Sequence, residues 1–558
     1  MSYDLRSTSW IPWRRRDGKV TWGPISMLTD DVGGANPVVA TAAPRADFDA
    51  ALQEFLIGML TVALAVADED AWRERWDEPP TPDELQRALD ALPAAFDLDA
   101  QDGPRFLQDF SATDLAAQEA LPIDRLAMDS PGEQSIKLGK TLFVKPARFE
   151  QLGRPAAAMA LITMQTYAPA GGQGNRTSMR GGGPMTTLAD PRLSQGSVEA
   201  DEQPLWERLW MNVESREGWS ERTATQRTKA DALLFPWLAP TRVSDSKRPP
   251  VTPADAHPVQ AYFGMPRRIR LEFGDAGLCD LTGQYDEHTV AGFRMKNFGV
   301  EYATWKHPLS PHYESKGEWL PVHPQPGGLT WRDWPQLSLR HAMEGREPAA
   351  VIVNAAVRAR ALRRGEARLH VFGYDMDNMK ARGWVSVMQP LFSITDDSAE
   401  SQEWLATLSR NLVEAASTTA TAMSIAIKSA LFDRIEDAPN DYPVPKQRLW
   451  AETEPRFFDA VRNALARGLN LESVSDARRA FHAPLREIAL RLFDETARID
   501  NAPITALRRH VNARHSLTGT FAGYGKFGQQ LYAALNMTPP AVAAKSGKKA
   551  TTKRGVAK

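Results

Sequence analysis

"SAESQEWLATLSRNLVEAASTTATAMSIAIKSALF", residues 398–432, is the stretch that most clearly decides the fold class of this chain. Its apolar side chains recur every three to four residues, which predicts one long amphipathic helix. The residues predicted to form its buried face are Trp404, Leu405, Leu408, Leu412, Ile427 and Leu431. The chain therefore changes from a mixed pattern to a helical one just after Thr395.

Further amphipathic segments follow this stretch. They are "PRFFDAVRNALARG" (455–468), "APLREIALRLFDETARI" (483–499) and a fourth segment over about 503–535. Four amphipathic helices in a row predict a four-helix bundle. The end of the chain is basic, rich in small residues and poor in apolar ones, so we expect it to be disordered.

Upstream of the helical region the pattern is mixed. Asp17-Gly18 is a hairpin dipeptide between two strand-like runs, and residues 268–306 alternate between apolar and polar. Helical patterns occur at 47–67, at 82–95 and around "AAAMALITMQ". Together these patterns predict an α+β protein. We expect a large mixed α/β N-terminal domain with long loops at 1–390, a four-helix bundle at 395–536 and a tail at 537–558.

Composition restricts the chemistry of the chain. Its 558 residues carry a formal net charge of −2, so any nucleic acid must bind local patches rather than a globally basic surface. Cys279 is the single cysteine, which excludes a disulfide framework and a CxxC zinc site. The apolar run Phe55–Ala67 is too short to span a bilayer. We expect a cytoplasmic protein without a membrane partner, a cofactor, a bound metal or catalytic residues.

Two local features leave alternatives open. "WIPWRRR" (Trp10–Arg16) places two indole rings beside three arginines, which suits contact with RNA or a partner subunit. A packed edge strand with solvated arginines is the interpretation that we favour. His307 and His312 are possible metal ligands, but no acidic or sulfur partner lies at useful spacing, so a role in a loop is favoured.

A third feature is "APAGGQGNRTSMRGGGPMTT", residues 168–187. It lacks the lysine that ends a P-loop and the third glycine of a dinucleotide-binding fingerprint. A backbone with so few side chains can approach a ligand closely. The sequence alone also allows a glycine loop that is disordered or packed internally.

Several segments in order resemble the CasA family, the large subunits of the type I-E Cascade CRISPR surveillance complex. They are "SWIPWRRRDGKV", "LFVKPARFEQLGRPAAAMALITMQTYAPAGGQGNRTSMRGGGPMTTL", "FGYDMDNMKARGW" and the C-terminal helices. The resemblance implies a non-catalytic subunit that recognises the protospacer-adjacent motif (PAM) of double-stranded target DNA from the minor groove. It also implies duplex opening and R-loop formation. The implied partners are that DNA, the crRNA 5′ handle, the backbone, handle-binding and small subunits, and a helicase-nuclease recruited after target binding.

The resemblance also implies site residues. The glycine loop comprises Ala170, Gly171, Gly172, Gln173, Gly174, Asn175, Arg176 and Arg180, with the two arginines expected to neutralise phosphates. A lysine finger falls on Lys296, or on Asn297 if the register shifts by one. A wedge that splits the first base pair falls on Asp377, Asn378, Met379 and Lys380. The loop expected to contact the crRNA handle and neighbouring subunits carries Phe143, Val144, Lys145 and Arg148.

Two other functions remain as alternatives. A metal-dependent nuclease requires a carboxylate or histidine cluster, and the sequence offers none that is convincing. A purely structural scaffold subunit requires no DNA contact at all. Salt-dependent binding to duplex DNA distinguishes the scaffold from the PAM-recognising subunit.

Overall fold

A computed structural model describes residues 2–142, 144–169, 171–172, 174–191, 202–223, 231–245, 248–340, 343–362, 366–377, 380–392, 398–438, 443–499 and 503–540. The chain divides into two compact units, Met1–Gln402 and Glu403–Lys558. The predicted boundary at 390–395 stays a prediction, because residues 393–397 lie outside the described ones. Most of the predicted tail, 541–558, also lies outside them.

The N-terminal unit contains both long and very short helices. They are α1 Ala46–Leu64, α2 Glu69–Asp77, α3 Pro82–Asp90, α4 Ala112–Ala116, α5 Glu133–Lys137, α6 Arg154–Tyr167, α7 Leu205–Met211, α8 Arg216–Thr223, α9 Asp231–Leu234, α10 Trp334–Ser338 and α11 Ala350–Ala361. The helices predicted at 47–67 and around "AAAMALITMQ" are confirmed as α1 and α6. The one predicted at 82–95 is α3, which ends at Asp90.

The strands of this unit form several small sheets. They are β1 Ile11–Arg15, β2 Val20–Gly23, β3 Val38–Thr41, β4 Leu121–Pro122, β5 Leu152–Gly153, β6 Thr186–Asp190, β7 Arg268–Phe273, β8 Gly277–Leu278, β9 Tyr285–Asp286, β10 Thr289–Lys296, β11 His312–Ser315, β12 Glu318–Pro321, β13 Arg346–Glu347, β14 Glu366–Asp377 and β15 Lys380–Phe392. Their orders in the described chain are β2-β1-β3, β4-β10-β5 with β7 also on β10, β12-β11-β13, β15-β14-β6 and β8-β9. These small sheets and the C-terminal helices confirm the predicted α+β class.

Helix α1 forms the centre of the N-terminal unit. It packs against α6 and against the 3-10 helix Pro258–Phe263. Most of its residues are buried, so its apolar character is explained by the protein core. Within the described residues, no helix is by itself both long and apolar enough to cross a membrane. Only α1 and α2 together reach the required length and composition, and they are bent by 110° relative to each other.

The N-terminal hairpin is confirmed, with Arg14 opposite Val20 and Gly18 at a φ of 82°. The expectation of an edge strand is wrong, because β1 lies between β2 and β3. Trp10 and Trp13 are fully buried, and their ring N–H groups donate to the carbonyls of Leu5 and Pro24. These rings are therefore structural, and contact with RNA through them is excluded.

The C-terminal helices are α12 Ala399–Leu431, α13 Pro443–Ala466, α14 Leu471–Thr496, α15 Ile504–Phe521 and α16 Gly525–Ala534. The fourth predicted segment, 503–535, is therefore two helices, α15 and α16. Leu405, Leu408, Leu412 and Ile427 are buried as expected. Leu431 is 39% exposed, because it is the last residue of α12.

Helices α13 and α14 begin well before the sequence segments that predicted them, which start at residues 455 and 483. Pro455 lies inside α13 and Pro484 inside α14. An interior proline removes one helical hydrogen bond and costs about 3 kcal/mol. Leu449 and Trp450, upstream of Pro455, are buried, so packing of the apolar face sustains the helix across the proline.

His307 and His312 are interior residues of the N-terminal unit. His307 lies within hydrogen-bond distance of the Ala261 carbonyl, at 3.1 Å, and accepts from the Leu309 N–H at 3.2 Å. Burial, followed by the nearby charges of Lys306, Arg222 and Arg180, lowers the pKa of His312 to about 3. Across the described residues, no group of three or more His, Cys, Asp or Glu side chains is arranged to hold a metal ion.

The pKa of His312 gives an acid-dependent loss of stability. Since the pKa in the folded chain is below the unfolded value of about 6.5, the unfolded chain binds the extra proton as pH falls below 6.5. Between pH 7.5 and 5.5 this costs about 1.4 kcal/mol. We expect the free energy of unfolding of His312→Gln, measured in urea, to fall by about 1.4 kcal/mol less than that of wild type between pH 7.5 and pH 5.5. His288→Gln, at an exposed position, is the control, and equal acid sensitivity in both variants would contradict the assignment.

Candidate nucleic-acid interface

The glycine-rich segment joins α6 to β6, and its first part is a tight turn. Gly172 and Gly174 have φ values of 76° and 78°, a left-handed conformation that favours glycine. The Asn175 side-chain amide donates to the Gly171 carbonyl and closes the turn. Ala170 and Gln173 lie outside the described residues. The turn presents main chain at an exposed position, since Gly172 is solvent-exposed.

The same turn contacts the end of β10, where the lysine finger is expected. The Phe298 N–H donates to the Gly174 carbonyl at 2.7 Å. A Cβ atom on Gly174 would lie 3.0 Å from both the Asn297 Cβ and the Phe298 ring. Asn297 therefore lies directly against the glycine loop, and Phe298 holds it there with a φ of 66°.

Lys296 is the last residue of β10 and is half-buried, whereas Asn297 is exposed. The hydrogen bond from Arg268, followed by the charge of Lys296, lowers the pKa of the Asp114 carboxyl. Asn297 thus lies at the glycine loop, and Lys296 is the residue before it. The choice between Lys296 and Asn297 stays a prediction.

The other end of the glycine-rich segment lies under a long hairpin formed by β14 and β15. Gly183 has a φ of 61°, and a Cβ there would lie 2.7 Å from the Met376 side chain and 2.8 Å from the Tyr374 Cβ. On the hairpin, a Cβ on Gly373 would lie 2.4 Å from the Pro184 carbonyl oxygen. Glycine is required on both sides of this contact, so the two elements pack backbone against backbone.

The tip of this hairpin is where the wedge is expected. Asp377 pairs with Lys380 in the strand register, and the expected wedge residues Asn378 and Met379 stand between them in the sequence. Those two residues lie outside the described ones, while Asp377 and Lys380 are exposed on either side. Arg382 donates to Asp375 at 2.6 Å, which braces the strands below the tip.

Arg176 is engaged by the protein itself. Its Nε donates to the Ser244 hydroxyl at 2.8 Å, and its Nη1 donates to Glu301 at 3.1 Å. The expected phosphate contact would have to replace these bonds. The geometry makes Arg176 a brace between the glycine-rich segment and the loop after β10.

Arg180 has a different role from the expected one. Its side chain is 4% exposed and forms an ion pair with Glu54 of α1. It also donates to the hydroxyls of Thr186 and Ser310, at 2.8 and 3.1 Å. A buried guanidinium with its donors occupied does not neutralise DNA phosphates, so that expectation is wrong for Arg180. The residue anchors the segment to the core.

The loop expected to contact crRNA is largely exposed. Lys145 is exposed, Val144 is half-buried and Phe143 lies outside the described residues. Arg148 forms two bonds with the Asp129 carboxylate, at 2.9 and 2.7 Å, and Arg45 donates to the same group. Burial alone would raise the pKa of Asp129, but the hydrogen bond from Arg148 and the charge of Arg45 outweigh it and lower the pKa.

The structure thus brings three predicted elements together through one segment. The end of β10 contacts the first part of the glycine-rich segment and the tip half of the β14–β15 hairpin contacts its last part, whereas the loop around Lys145 is a separate surface feature of the same unit. Sequence reasoning missed Phe298 and His323, whose ring Nε2 donates to the Arg180 carbonyl at 3.1 Å. Neither residue belongs to a recognisable motif, so no sequence signal could have found them.

Comparison with known proteins places this arrangement in a family. The model of the CRISPR-associated protein Cse1 family matches residues 4–492. The chain belongs to the Cse1 family. The resemblance to CasA noted in the sequence is confirmed, since the two names are used for one protein in a solved structure described as Thermus thermophilus CasA (Cse1).

Solved structures of Cse1 share this fold at low sequence identity. The Thermus thermophilus CasA chain is 18% identical with a TM-score of 0.65, over 95% of this chain and 99% of that one. Thermobifida fusca Cse1 is 16% identical with a TM-score of 0.65, over 96% and 98%. A chain of a CRISPR RNA-guided surveillance complex is 17% identical with a TM-score of 0.66, over 93% and 99%.

Proposed function

We propose that this chain is the non-catalytic large subunit of a type I-E CRISPR RNA-guided surveillance complex. In this role it recognises the PAM of double-stranded target DNA through the minor groove and promotes duplex opening and R-loop formation. Membership of the Cse1 family supports the assembly. The observation that carries the DNA contact is that one glycine-rich segment touches both the end of β10 and the tip half of the β14–β15 hairpin.

The turn at Gly172 and Gly174 suits the minor groove. That groove is narrow, about 6 Å wide, and presents a degenerate pattern of acceptors. Main chain without Cβ atoms enters such a groove more closely than a side chain-bearing loop, and its N–H groups donate to base edges or phosphates. Degenerate readout predicts that several related PAM sequences are tolerated. Lys296 and Asn297, beside the turn, supply further donors.

The hairpin suits strand separation. Its strands end at the pair of Asp377 and Lys380, and they are braced by Arg382 next to that end. Minor-groove proteins kink DNA by inserting such side chains between base steps, at a cost of a few kcal/mol per step. Contacts of the glycine loop with the PAM offset that cost. Recognition and opening are therefore placed next to each other.

Two further contacts belong to this proposal. The exposed loop around Lys145 suits the crRNA 5′ handle and neighbouring subunits, because a cation on an exposed loop can approach RNA phosphates. Helix α15 carries three exposed apolar side chains at helical spacing, Ile504, Leu507 and Val511. An apolar stripe of this kind suits docking of a protein, and we assign it to recruitment of the helicase-nuclease.

A metal-dependent nuclease is the less supported of the two alternative functions. Such an enzyme needs a cluster of metal-binding side chains, and the described residues contain none. The structural scaffold without DNA contact remains the second candidate, because Arg176 and Arg180 are used internally. A direct test of the glycine loop separates it from the proposed function.

The test uses Gly172→Asp and Gly172→Asn in the reconstituted complex with crRNA. Position 172 has φ 76° and the nearest atom to an added Cβ is 4.0 Å away, and both Asp and Asn tolerate the left-handed conformation better than other residues. The two variants therefore differ in charge alone. We expect Gly172→Asp to bind PAM-bearing duplex about fivefold more weakly than Gly172→Asn, because one carboxylate near phosphate costs about 1 kcal/mol.

The measurement is binding of duplexes randomised beside the target, at two salt concentrations. Gly172→Asn should bind PAM-bearing duplex more weakly than wild type, because its side chain crowds the groove, and all forms should bind complementary single-stranded DNA equally. If Gly172→Asp binds PAM-bearing duplex as well as Gly172→Asn does, the loop does not approach DNA and the scaffold function is favoured.

A further inference from the structure

A cavity of about 640 Å³ lies against the second half of the glycine-rich segment. One wall is the stretch from Thr177 to Gly181, and a second is the loop Tyr302–Lys306 that follows β10. The β11–β12 hairpin, His323, Pro253 and the end of α8 form the rest. Its volume is in the range of small-molecule sites, which run from about 300 to 1,000 Å³.

Aromatic rings dominate this cavity. Tyr302, Tyr313 and Trp319 line it and are half-buried, while Trp305 at its base is buried and donates its ring N–H to the Val251 carbonyl at 2.9 Å. The Lys306 ammonium lies 3.9 Å from the centre of the Trp319 ring and fixes that ring from one side. Such a lining offers stacking surface to a planar group.

The cations at the cavity are already neutralised. Lys306 pairs with Glu347 at 2.8 Å, and Arg222 pairs with Glu214 at 2.8 Å. Burial is the main cause that lowers the pKa of His323, which keeps its ring neutral at physiological pH. These groups do not attract a phosphate. Rings, hydroxyls and a neutral imidazole instead suit an uncharged planar group with hydrogen-bonding edges, which is the chemistry of a nucleobase.

The backbone at the cavity wall is strained. Thr304 has a φ of 62°, which is a genuine outlier for a β-branched residue. Its hydroxyl donates to the Ala303 carbonyl at 2.7 Å and so does not relieve the conformation. Strained residues of this kind cluster at ligand sites, where the surrounding structure holds them.

The cavity also lies next to the elements proposed to open DNA. A Cβ on Gly181 would lie 2.6 Å from the His323 Nε2, so the glycine-rich segment rests directly on the cavity wall. Pro324, the next residue, would lie 3.1 Å from a Cβ on Gly373 in the tip half of the β14–β15 hairpin. The residues that border the cavity therefore also contact the glycine-rich segment and the hairpin.

We propose that this aromatic cavity holds one unpaired nucleobase of the opened target DNA, stacked on Trp319. The inference rests on the proposed function, since it requires the glycine loop to lie on DNA. It adds a binding site that neither the loop nor the hairpin supplies. Holding an extruded base would favour the open state, because the base cannot re-pair while it is stacked.

The experiment combines a variant with a modified DNA. Trp319→Leu keeps apolar volume but removes the aromatic face, and Trp319→Phe restores a ring. Target duplexes carry one abasic site, scanned through the positions next to the PAM on both strands. With the reconstituted complex, we expect Trp319→Leu to weaken binding of the intact PAM-bearing duplex about tenfold, and Trp319→Phe much less.

The decisive result is coupling between the two changes. At one position, the abasic site should weaken DNA binding by the wild-type complex about tenfold, which is the loss expected for Trp319→Leu. At that position, the abasic site should not weaken binding by the Trp319→Leu complex beyond the loss that the substitution itself causes. If no abasic position weakens wild type, or if the two losses multiply at every position, the cavity holds no base. A loss caused by Trp319→Leu alone would then reflect folding or contact with a partner subunit.

Failure of this inference is distinguishable from failure of the proposed function. A wild-type complex without any PAM preference contradicts the proposed function itself. A complex with normal PAM preference but without coupling between Trp319 and an abasic site contradicts only the cavity assignment. Binding of complementary single-stranded DNA shows in either case that the variant subunit folds and assembles.

Discussion

Replacing Arg180 with alanine is expected to lower the free energy of unfolding by about 3–5 kcal/mol. Arg180 and Glu54 are both nearly inaccessible, with 4% and 5% of their side chains exposed. Glu54 also accepts from the Tyr167 hydroxyl at 2.6 Å and from Thr186 at 2.8 Å. Without Arg180 the Glu54 carboxylate stays buried without its cation, which is the costly outcome. Urea unfolding of the full chain, followed by tryptophan fluorescence, measures the loss.

Two comparisons isolate the cause. Glu54→Gln added to Arg180→Ala should recover much of the stability, because it removes the unpaired charge. Arg382→Ala removes an ion pair that is exposed at the hairpin and should leave stability unchanged within error. A loss below 1 kcal/mol for Arg180→Ala would mean that water or a rearranged neighbour compensates Glu54, and that the segment is anchored by other contacts.

Gly174→Ala is expected to weaken binding of PAM-bearing duplex by the complex roughly 30-fold, since about 1.4 kcal/mol corresponds to tenfold and the change costs about 2 kcal/mol. Alanine disfavours the φ of 78° at this position, and its Cβ would press on Asn297 and the Phe298 ring at 3.0 Å. The turn then moves away from β10 and loses the hydrogen bond from Phe298. DNA binding has to restore that geometry before both elements can contact the groove.

Gly172→Ala is the matched control for this change. Its φ of 76° imposes a similar backbone cost, but the nearest atom to the added Cβ is 4.0 Å away. Gly172→Ala should therefore lose only the part of the affinity that backbone strain explains, which is less than the loss for Gly174→Ala. If Gly172→Ala and Gly174→Ala lose equal affinity, backbone strain alone explains the effect. The contact between the loop and the end of β10 would then have no part in DNA binding. Binding of complementary single-stranded DNA should be unchanged in both.

Local chemistry explains which parts of the fold could be predicted. The hairpin at Asp17-Gly18 depends on a dipeptide that favours one turn, and α12 depends on a continuous apolar period, so both are visible in sequence. The start of α13 is not visible in the sequence, because Pro455 is a strong local signal for a helix boundary. The packing of Leu449 and Trp450 overrides that signal. Local signals predict elements, and tertiary packing adjusts their ends.

The candidate site shows the same division. A run of glycines marks a loop that approaches something closely, and that much is legible in sequence. The partners of its arginines cannot be predicted from the sequence, because Glu54 and Glu301 lie more than a hundred residues away along the chain. A charged residue in a glycine loop looks available for phosphate until its partner is known. The contacts of Gly174 with Phe298 and of Gly183 with Met376 are equally invisible without the fold.

The glycine-rich segment touches the finger at Gly174 and the hairpin at Gly183, and it leaves room for a Cβ at neither place. It therefore fixes the positions of both elements and does not act as an independent binding loop. Replacing this segment with that of a relative would therefore alter the contact with the hairpin as well as the contact with the end of β10. If the chain recognises a PAM as we propose, new PAM preferences should arise by correlated substitutions in all three segments, and engineering should exchange the three together.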